Sequence, residues 1–160
     1  GAIALALDAE LPDVMVWATD VSAEALDVAR ANIAGCAAIR VRTAAGSWFD
    51  ALPDDVRGRL ELIVSNPPYI AESEVPELPQ EVAGYEPRHA LVSGPTGTEA
   101  LEYLLAHARE WLLPGGALVC ELAPHQADAM VAHALGLAWA EAFVRADLAG
   151  RARVLVARAG

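Results

Sequence analysis

Apolar residues along this chain fall into two spacings, and the places where one gives way to the other mark its elements. Residues 1–7 form an alanine-rich run that predicts the first turns of a helix, ended by Pro12, whose ring cannot continue one. Val14, Met15, Val16, Trp17, Ala18 and Thr19 form a continuous apolar run too short for a helix, which predicts a buried strand closed by Asp20. Ser22 then stands at a helix N-cap, with Glu24 in the positive first turn and Gly35 in the place of a C-cap glycine. Residues 22–34 are therefore predicted helical. Residues 39–43 alternate apolar positions with Arg40 and Arg42, the pattern of a partly exposed edge strand.

A polar connection over 52–59 leads to Leu62, Ile63 and Val64, a strand that must stop at Pro67 and Pro68 because neither can donate to a ladder. Residues 71–95 carry Pro76, Pro79, Pro87 and Pro95 among many acids, and predict a long loop whose 72–77 part is a solvated linker. Thr98 heads a predicted helix with Leu101, Leu104, Leu105, Ala108, Trp111 and Leu112 on one face, ended by Leu113-Pro114-Gly115-Gly116. A buried strand over 117–122 and a helix over 126–135 follow. Two strands, 139–146 and 153–157, then close on Asp147-Leu148-Ala149-Gly150-Arg151 as an antiparallel hairpin. Strands alternating with helices predict an α/β fold.

Length and composition narrow this picture. One domain of 160 residues with 55% hydrophobic content and mean hydropathy +0.32 suits a buried sheet and excludes disorder. Pro, Gly or charge interrupts every apolar run before the ~18 residues of a membrane span, and no basic leader is visible ahead of the first apolar run. Cys36 and Cys120 lack metal spacing and are expected to be free, buried thiols in a reducing, cytoplasmic setting. His125 and His133 are too isolated to predict a metal site. The net charge of −11 argues against affinity built on phosphate contacts. Such acidity either steers a basic protein partner or keeps the chain soluble, and both readings stand.

The most informative chemistry lies at Asn66-Pro67-Pro68-Tyr69. Two prolines without N–H leave carbonyl acceptors and no competing backbone donor, flanked by one carboxamide and one aromatic ring. That set suits a planar NH₂ group, with oxygens for its hydrogens and a ring for its face; the alternative is a plain strand-ending turn. Asp20, closing its strand, could accept the hydroxyls of a ribose or serve as an Asx cap on the next helix. Trp48 could stack on an adenine or pack in the core. Glu121, within an apolar strand, is a costly carboxylate unless paired; it bonds either the backbone of the 71–95 loop or caps a neighbouring element.

Asn66-Pro67-Pro68-Tyr69 after an apolar strand resembles the signature of S-adenosylmethionine-dependent methyltransferases that modify amino groups on planar systems. With Leu78-Pro79-Gln80-Glu81-Val82, Tyr85-Glu86-Pro87 and Ala90-Leu91, the chain resembles the glutamine-N5 methyltransferases of the HemK/PrmC family, which act on the Gly-Gly-Gln loop of peptide-chain release factors. The resemblance implies a Rossmann-like class I methyltransferase sheet with helices on both faces and a C-terminal antiparallel hairpin. It makes residues 1–160 a partial catalytic methyltransferase domain. The family's N-terminal helical substrate-binding domain, first central strand and glycine-rich loop are expected to be missing, with Gly1 the last residue of that loop, so that the chain alone binds cofactor poorly.

The resemblance also implies roles. S-adenosylmethionine is the expected cofactor, held by Gly1, Asp20, Ser47, Trp48 and Asn66. Ser47 stands where the family usually has an acid, which leaves the adenine amino group to backbone contacts. Asn66, Pro67 and Tyr69 are the expected catalytic residues, with Pro68 and Glu86 completing the substrate side. Tyr85-Glu86-Pro87-Arg88 is then a semi-rigid wall over the acceptor site. A release factor is the expected partner, without direct nucleic-acid or membrane contact. A ribosomal-protein glutamine methyltransferase, a nucleic-acid amino methyltransferase and an inactive fragment remain as rival readings.

Overall fold

A computed structural model describes residues 1–85 and 87–160, the side chains of residues 82, 83 and 85 excepted. These residues divide into two units, Gly1–Val56 and Arg57–Gly160.

The first unit runs α1 (Ala2–Glu10), β1 (Val16–Asp20), α2 (Ala23–Gly35) and β2 (Val41–Ala45). β1 and β2 pair in parallel, from Val16 opposite Val41 to Asp20 opposite Ala45. Parallel neighbours need a crossover, and α2 is that crossover. Buried Ala4, Val16, Ala38 and Val41 form the unit's core, with Leu5, Leu7, Val14 and Ile33 packed against them. Arg40, at the foot of β2, donates to the Asp8 carbonyl at 2.8 Å and pairs with its carboxylate at 3.1 Å, tying β2 to α1.

Ser22 caps α2 as its position predicts, its hydroxyl accepting the Ala25 N–H at 3.1 Å. Gly35 is not the C-cap: the helix runs through it to Cys36, and the left-handed position falls to Ala37 at φ 53°. Cys36, at the open end of the helix, is exposed against expectation, while Cys120 is buried.

The second unit runs β3 (Leu60–Ser65), β4 (Ile70–Ala71), α3 (Gln80–Tyr85), α4 (Arg88–Leu91), β5 (Val92–Gly94), α5 (Glu99–His107), β6 (Leu112–Glu121), α6 (Ala127–Gly136), β7 (Glu141–Ala146) and β8 (Ala152–Arg158). Its main sheet has the order β3-β6-β8-β7, with β3 parallel to β6 and β8 antiparallel to both of its neighbours. The expected C-terminal hairpin is β7–β8. Leu101, Leu104 and Leu105 bury one face of α5, and Leu118, Cys120 and Leu155 fill the sheet side. Each such leucine contributes about 1.5–3 kcal/mol relative to exposure. Trp139 precedes β7 rather than opening it; its buried indole N–H donates to the Leu105 carbonyl at 3.0 Å, which anchors the hairpin's entry to α5.

α5 stops at His107, short of the predicted Leu112. The Trp111 carbonyl accepts the Leu60 N–H at 2.9 Å, and Leu112 pairs with Leu60, so the sheet claims the backbone that a longer helix would need. Nor is the 71–95 segment one long loop. Ile70 pairs with Val92 and Ala71 with Gly94, in parallel. Residues Glu72–Glu77, expected as a solvated linker, form a 3-10 helix opened by the Glu74 carboxylate, which accepts the Ala71 N–H at 2.8 Å. Short-range caps and prolines build these elements without an apolar period, which explains why the pattern did not reveal them.

Thr98 does not cap α5 through its side chain. Ser93 of β5 does this from seven residues upstream, its hydroxyl accepting the Ala100 N–H at 2.7 Å. At the β7–β8 turn, Asp147 accepts the Ala149 and Arg151 N–H groups at 2.9 and 3.0 Å, and the Arg151 side chain at 2.9 Å. The Arg151 N–H foremost, helped by its guanidinium and by Ala149 against slight desolvation, holds the Asp147 carboxyl below its ordinary value. Among the described residues no helix is long and apolar enough to cross a membrane.

Two outcomes follow. Ser93→Ala should cost about 1 kcal/mol in urea denaturation, the value of a lost N-cap, although Ser93 lies outside the helix it caps. Asp147 has its pKa lowered in the fold, so its stabilisation is present above the unfolded value of ~3.9 and is lost as pH falls through the folded value. The stability gap between the native chain and Asp147→Asn should stay constant from neutrality to about pH 4 and shrink below it.

Candidate active site

The ladder between β3 and β6 ends with Ser65 opposite Cys120, so the chain leaves the sheet at Asn66 beside the end of β6 at Glu121. From there Pro67 is buried, Pro68 and Tyr69 are half-buried, and Asn66 is exposed. Pairing resumes at Ile70. Residues 66–70 wall one side of a cavity of about 90 Å³, and Ala90 and Leu91 of α4 wall the other. That is space for about three waters at ~30 Å³ each, and a carboxamide has three heavy atoms. Among the described residues the Asn66 side chain forms no hydrogen bond, so its oxygen is open to a ligand. Glu86, expected on the substrate side, lies outside the described residues.

Tyr69 is held at both ends. Its hydroxyl donates to Glu121 Oε1 at 3.0 Å, and its carbonyl accepts from Gln126 Nε2 at 2.9 Å. Gln126 is 3% exposed, and its amide is fully used: Nε2 also donates to the Gly97 carbonyl at 3.0 Å, and Oε1 accepts the Ala123 N–H at 3.1 Å. Gly97 has φ 80°, and a Cβ there would lie 2.8 Å from both the Tyr69 oxygen and the Ala71 nitrogen, so only glycine fits. Burial foremost, then the hydrogen bond and charge of Glu121, raise the Tyr69 pKa above its ordinary value, with Arg153 opposing them. Tyr69 is a phenol at any physiological pH.

Glu121 was expected to be buried and to bond loop backbone or cap an element. It is 36% exposed and accepts a side-chain hydroxyl, with Arg153 Nη1 3.8 Å away. Gln126 and Gly97 escaped the sequence reading. Gly97 lies in a run of turn formers, Ser93-Gly94-Pro95-Thr96-Gly97-Thr98, which was the available signal. Nothing local distinguishes Gln126, whose partners are 29 and 57 residues away.

In the first unit, parallel pairing brings Asp20 and the residues after β2 to one carboxyl edge. Asp20 lies opposite Ala45, and its carbonyl accepts the Gly46 N–H at 3.1 Å. Asp20 Oδ1 accepts the Ser22 N–H at 2.9 Å, so the Asx cap is formed; Oδ2 has no hydrogen bond among the described residues. Ser47 is exposed, and its carbonyl accepts the Asp50 N–H at 3.0 Å. Trp48 is half-buried at φ 48°, and Phe49 takes the core position in its place. An exposed carboxylate and a partly open indole at one strand-end edge fit the ribose and adenine of a nucleoside. Gly1 heads α1 and abuts α2, where a Cβ would lie 3.1 Å from that of Ala29.

The methyltransferase small domain family matches residues 1–83. The chain is 46% identical over 160 residues to the release factor glutamine methyltransferase of Xylella fastidiosa strain 9a5c, covering 99% of this chain and 56% of that protein. It is 41% identical to the protein of that name from Rhodopirellula baltica, covering 97% of this chain and 52% of that one. The chain thus spans about half the length of these relatives. Among solved structures, a methyltransferase from Pyrococcus furiosus superposes with a TM-score of 0.71 at 22% identity, over 99% of this chain and 68% of that one. The α/β methyltransferase fold expected from the sequence is therefore observed, and fold and family imply S-adenosylmethionine use in general terms. With half its length matched and its fold shared with solved methyltransferases, the chain belongs to the methyltransferase small domain family.

Proposed function

We propose that the whole protein methylates N5 of the glutamine in the Gly-Gly-Gln motif of peptide-chain release factors, with S-adenosylmethionine as donor. The observation that carries this is the small cavity walled by Asn66, Pro67, Pro68 and Tyr69, with the Asn66 carboxamide at its rim unbonded among the described residues. The named function of relatives 40–46% identical over nearly all of this chain supports the choice of substrate. The net charge of −11 disfavours the nucleic-acid rival.

A carboxamide nitrogen is a poor nucleophile because its lone pair is delocalised into the carbonyl. In this reading the Asn66 side-chain oxygen and the Pro67 carbonyl accept its two hydrogens, which raises electron density on nitrogen and fixes the plane of the amide. Tyr69 lies against that plane, and Pro68 keeps further donors away. When bound, S-adenosylmethionine supplies an electrophilic sulfonium methyl; Asp20 would hold its ribose, Trp48 its adenine, and backbone near Ser47 the adenine amino group. Orientation of this kind contributes up to ~7–11 kcal/mol in well-ordered reactions. The surplus proton leaves after methylation, so the site requires no dedicated base. The cytoplasm, where release factors work, is the fitting location.

The test is mass spectrometry of a Gly-Gly-Gln peptide incubated with the whole protein and S-adenosylmethionine, which should gain one methyl on glutamine. Asn66→Ala should cut turnover ~100-fold, as misplacement of a reacting group does, and weaken S-adenosylmethionine binding far less than that. Equal losses in both would assign Asn66 a structural role instead.

A further inference from the structure

Glu121 lies at the end of β6, yet it takes the single O–H of Tyr69 at 3.0 Å. A phenol has one hydrogen to donate and lone pairs to accept with. Once Glu121 has that hydrogen, Tyr69 offers a ligand only its ring and its lone pairs. The two prolines beside it have no N–H at all. The wall of the cavity thereby loses a donor that a free tyrosine would have supplied.

The carboxylate is itself held in place. Arg153 Nη1 lies 3.8 Å from Glu121 Oε1 and 3.4 Å from the Leu122 carbonyl, and Arg153 Nε lies 3.9 Å from Asp147 Oδ2. Asp147 is bonded in turn to Arg151. The chain of contacts runs from the cavity wall to the β7–β8 turn, and each charge in it faces an opposite one. At the other end of Tyr69, buried Gln126 grips the carbonyl. A tyrosine that merely closed a strand would need neither anchor.

Resting on the methyl-acceptor reading above, we propose that Glu121, buttressed by Arg153, is a positioning residue that sets acceptor specificity. It fixes Tyr69 and engages its hydroxyl proton, so the Tyr69 side of the cavity offers lone pairs and no donor, which favours a carboxamide NH₂ over a carboxylate there. A glutamate side chain brings no N–H, and at Tyr69 would set its lone pairs against the hydroxyl's own.

The experiment uses the whole protein, with Glu121→Ala, Glu121→Gln, Tyr69→Phe and the double variant Tyr69→Phe/Glu121→Ala. Glu121→Ala should lower kcat for a Gly-Gly-Gln peptide ~10-fold or more, the worth of a hydrogen bond to a charged group, with KM for S-adenosylmethionine unmoved. Glu121→Gln keeps an acceptor oxygen and should recover most of that loss. The double variant should be no slower than the worse single one, because both remove the same contact. Ultraviolet titration supplies a readout independent of activity: the tyrosinate step absent from Tyr69→Phe should move to lower pH in Glu121→Ala.

An active native enzyme in which the two losses multiply, or in which the tyrosinate step stays put, overturns the positioning role alone. A native enzyme that leaves Gly-Gly-Gln peptides unmodified overturns the substrate reading, and the specificity role falls with it. A Glu121→Ala protein that fails to fold shifts the decision to Glu121→Gln. That variant keeps the acceptor oxygen without the charge: it supports the proposal by keeping kcat near native, and overturns it by losing as much turnover as Tyr69→Phe.

Discussion

The candidate site depends on a piece of backbone that cannot donate. Pro67 and Pro68 end the β3 ladder because neither has an N–H, and the same lack makes the corner an acceptor for amino hydrogens. Such a segment cannot hold itself in place by sheet pairing. Its position has to be imposed from outside, and apart from the local Glu74 cap the contacts arrive from side chains distant in sequence. Gln126 holds the Tyr69 and Gly97 carbonyls, Glu74 holds the Ala71 N–H, and Glu121 holds the Tyr69 hydroxyl. Each is a satisfied polar contact in a partly or fully buried place, where an orphaned group costs about 1–3 kcal/mol.

Within each unit, chemistry gathers at the carboxyl ends of parallel strands. Asp20, Ser47 and Trp48 follow β1 and β2; Asn66, Tyr69 and Glu121 lie at the ends of β3 and β6. Parallel pairing forces every strand's exit to the same edge, and the connecting helices fill the space alongside. Side chains from segments far apart in sequence are then delivered to one rim without any special loop. The general rule for open α/β sheets, that ligands bind outside the carboxyl ends, is this geometry restated.

What could be read from the pattern was what local spacing decides. The β–α–β run of the first unit, the Ser22 cap, the leucine face of α5 and the β7–β8 hairpin all follow from periodicity and turn residues. Readings failed where a distant partner overrode the local signal. Ser93 rather than Thr98 caps α5, and the Leu60 N–H takes the backbone that would have extended it. The tetrapeptide at 66–69 was legible as chemistry because its residue types alone define an acceptor set. Gln126 was invisible because a lone glutamine before a helix has no meaning until its two carbonyl partners are known.

An acceptor-lined cavity also restricts what can bind by what it leaves unpaired. A phosphate or carboxylate needs donors, and the tight versions of such contacts are charge-assisted; Pro67 and Pro68 have none, the Tyr69 hydroxyl is already spent, and the Asn66 amide brings no charge. A ligand that brings its own N–H groups pairs with the corner, while one without them sets lone pair against lone pair in a half-buried place. Mismatch of that kind discriminates far more sharply than a missing methylene, because the site's polar groups are stranded along with the ligand's. The acidity of the chain acts in the same direction at long range, repelling anions before they reach the rim. On the proposed reading, hydrogen bonding and charge both favour a neutral planar group that brings its own N–H.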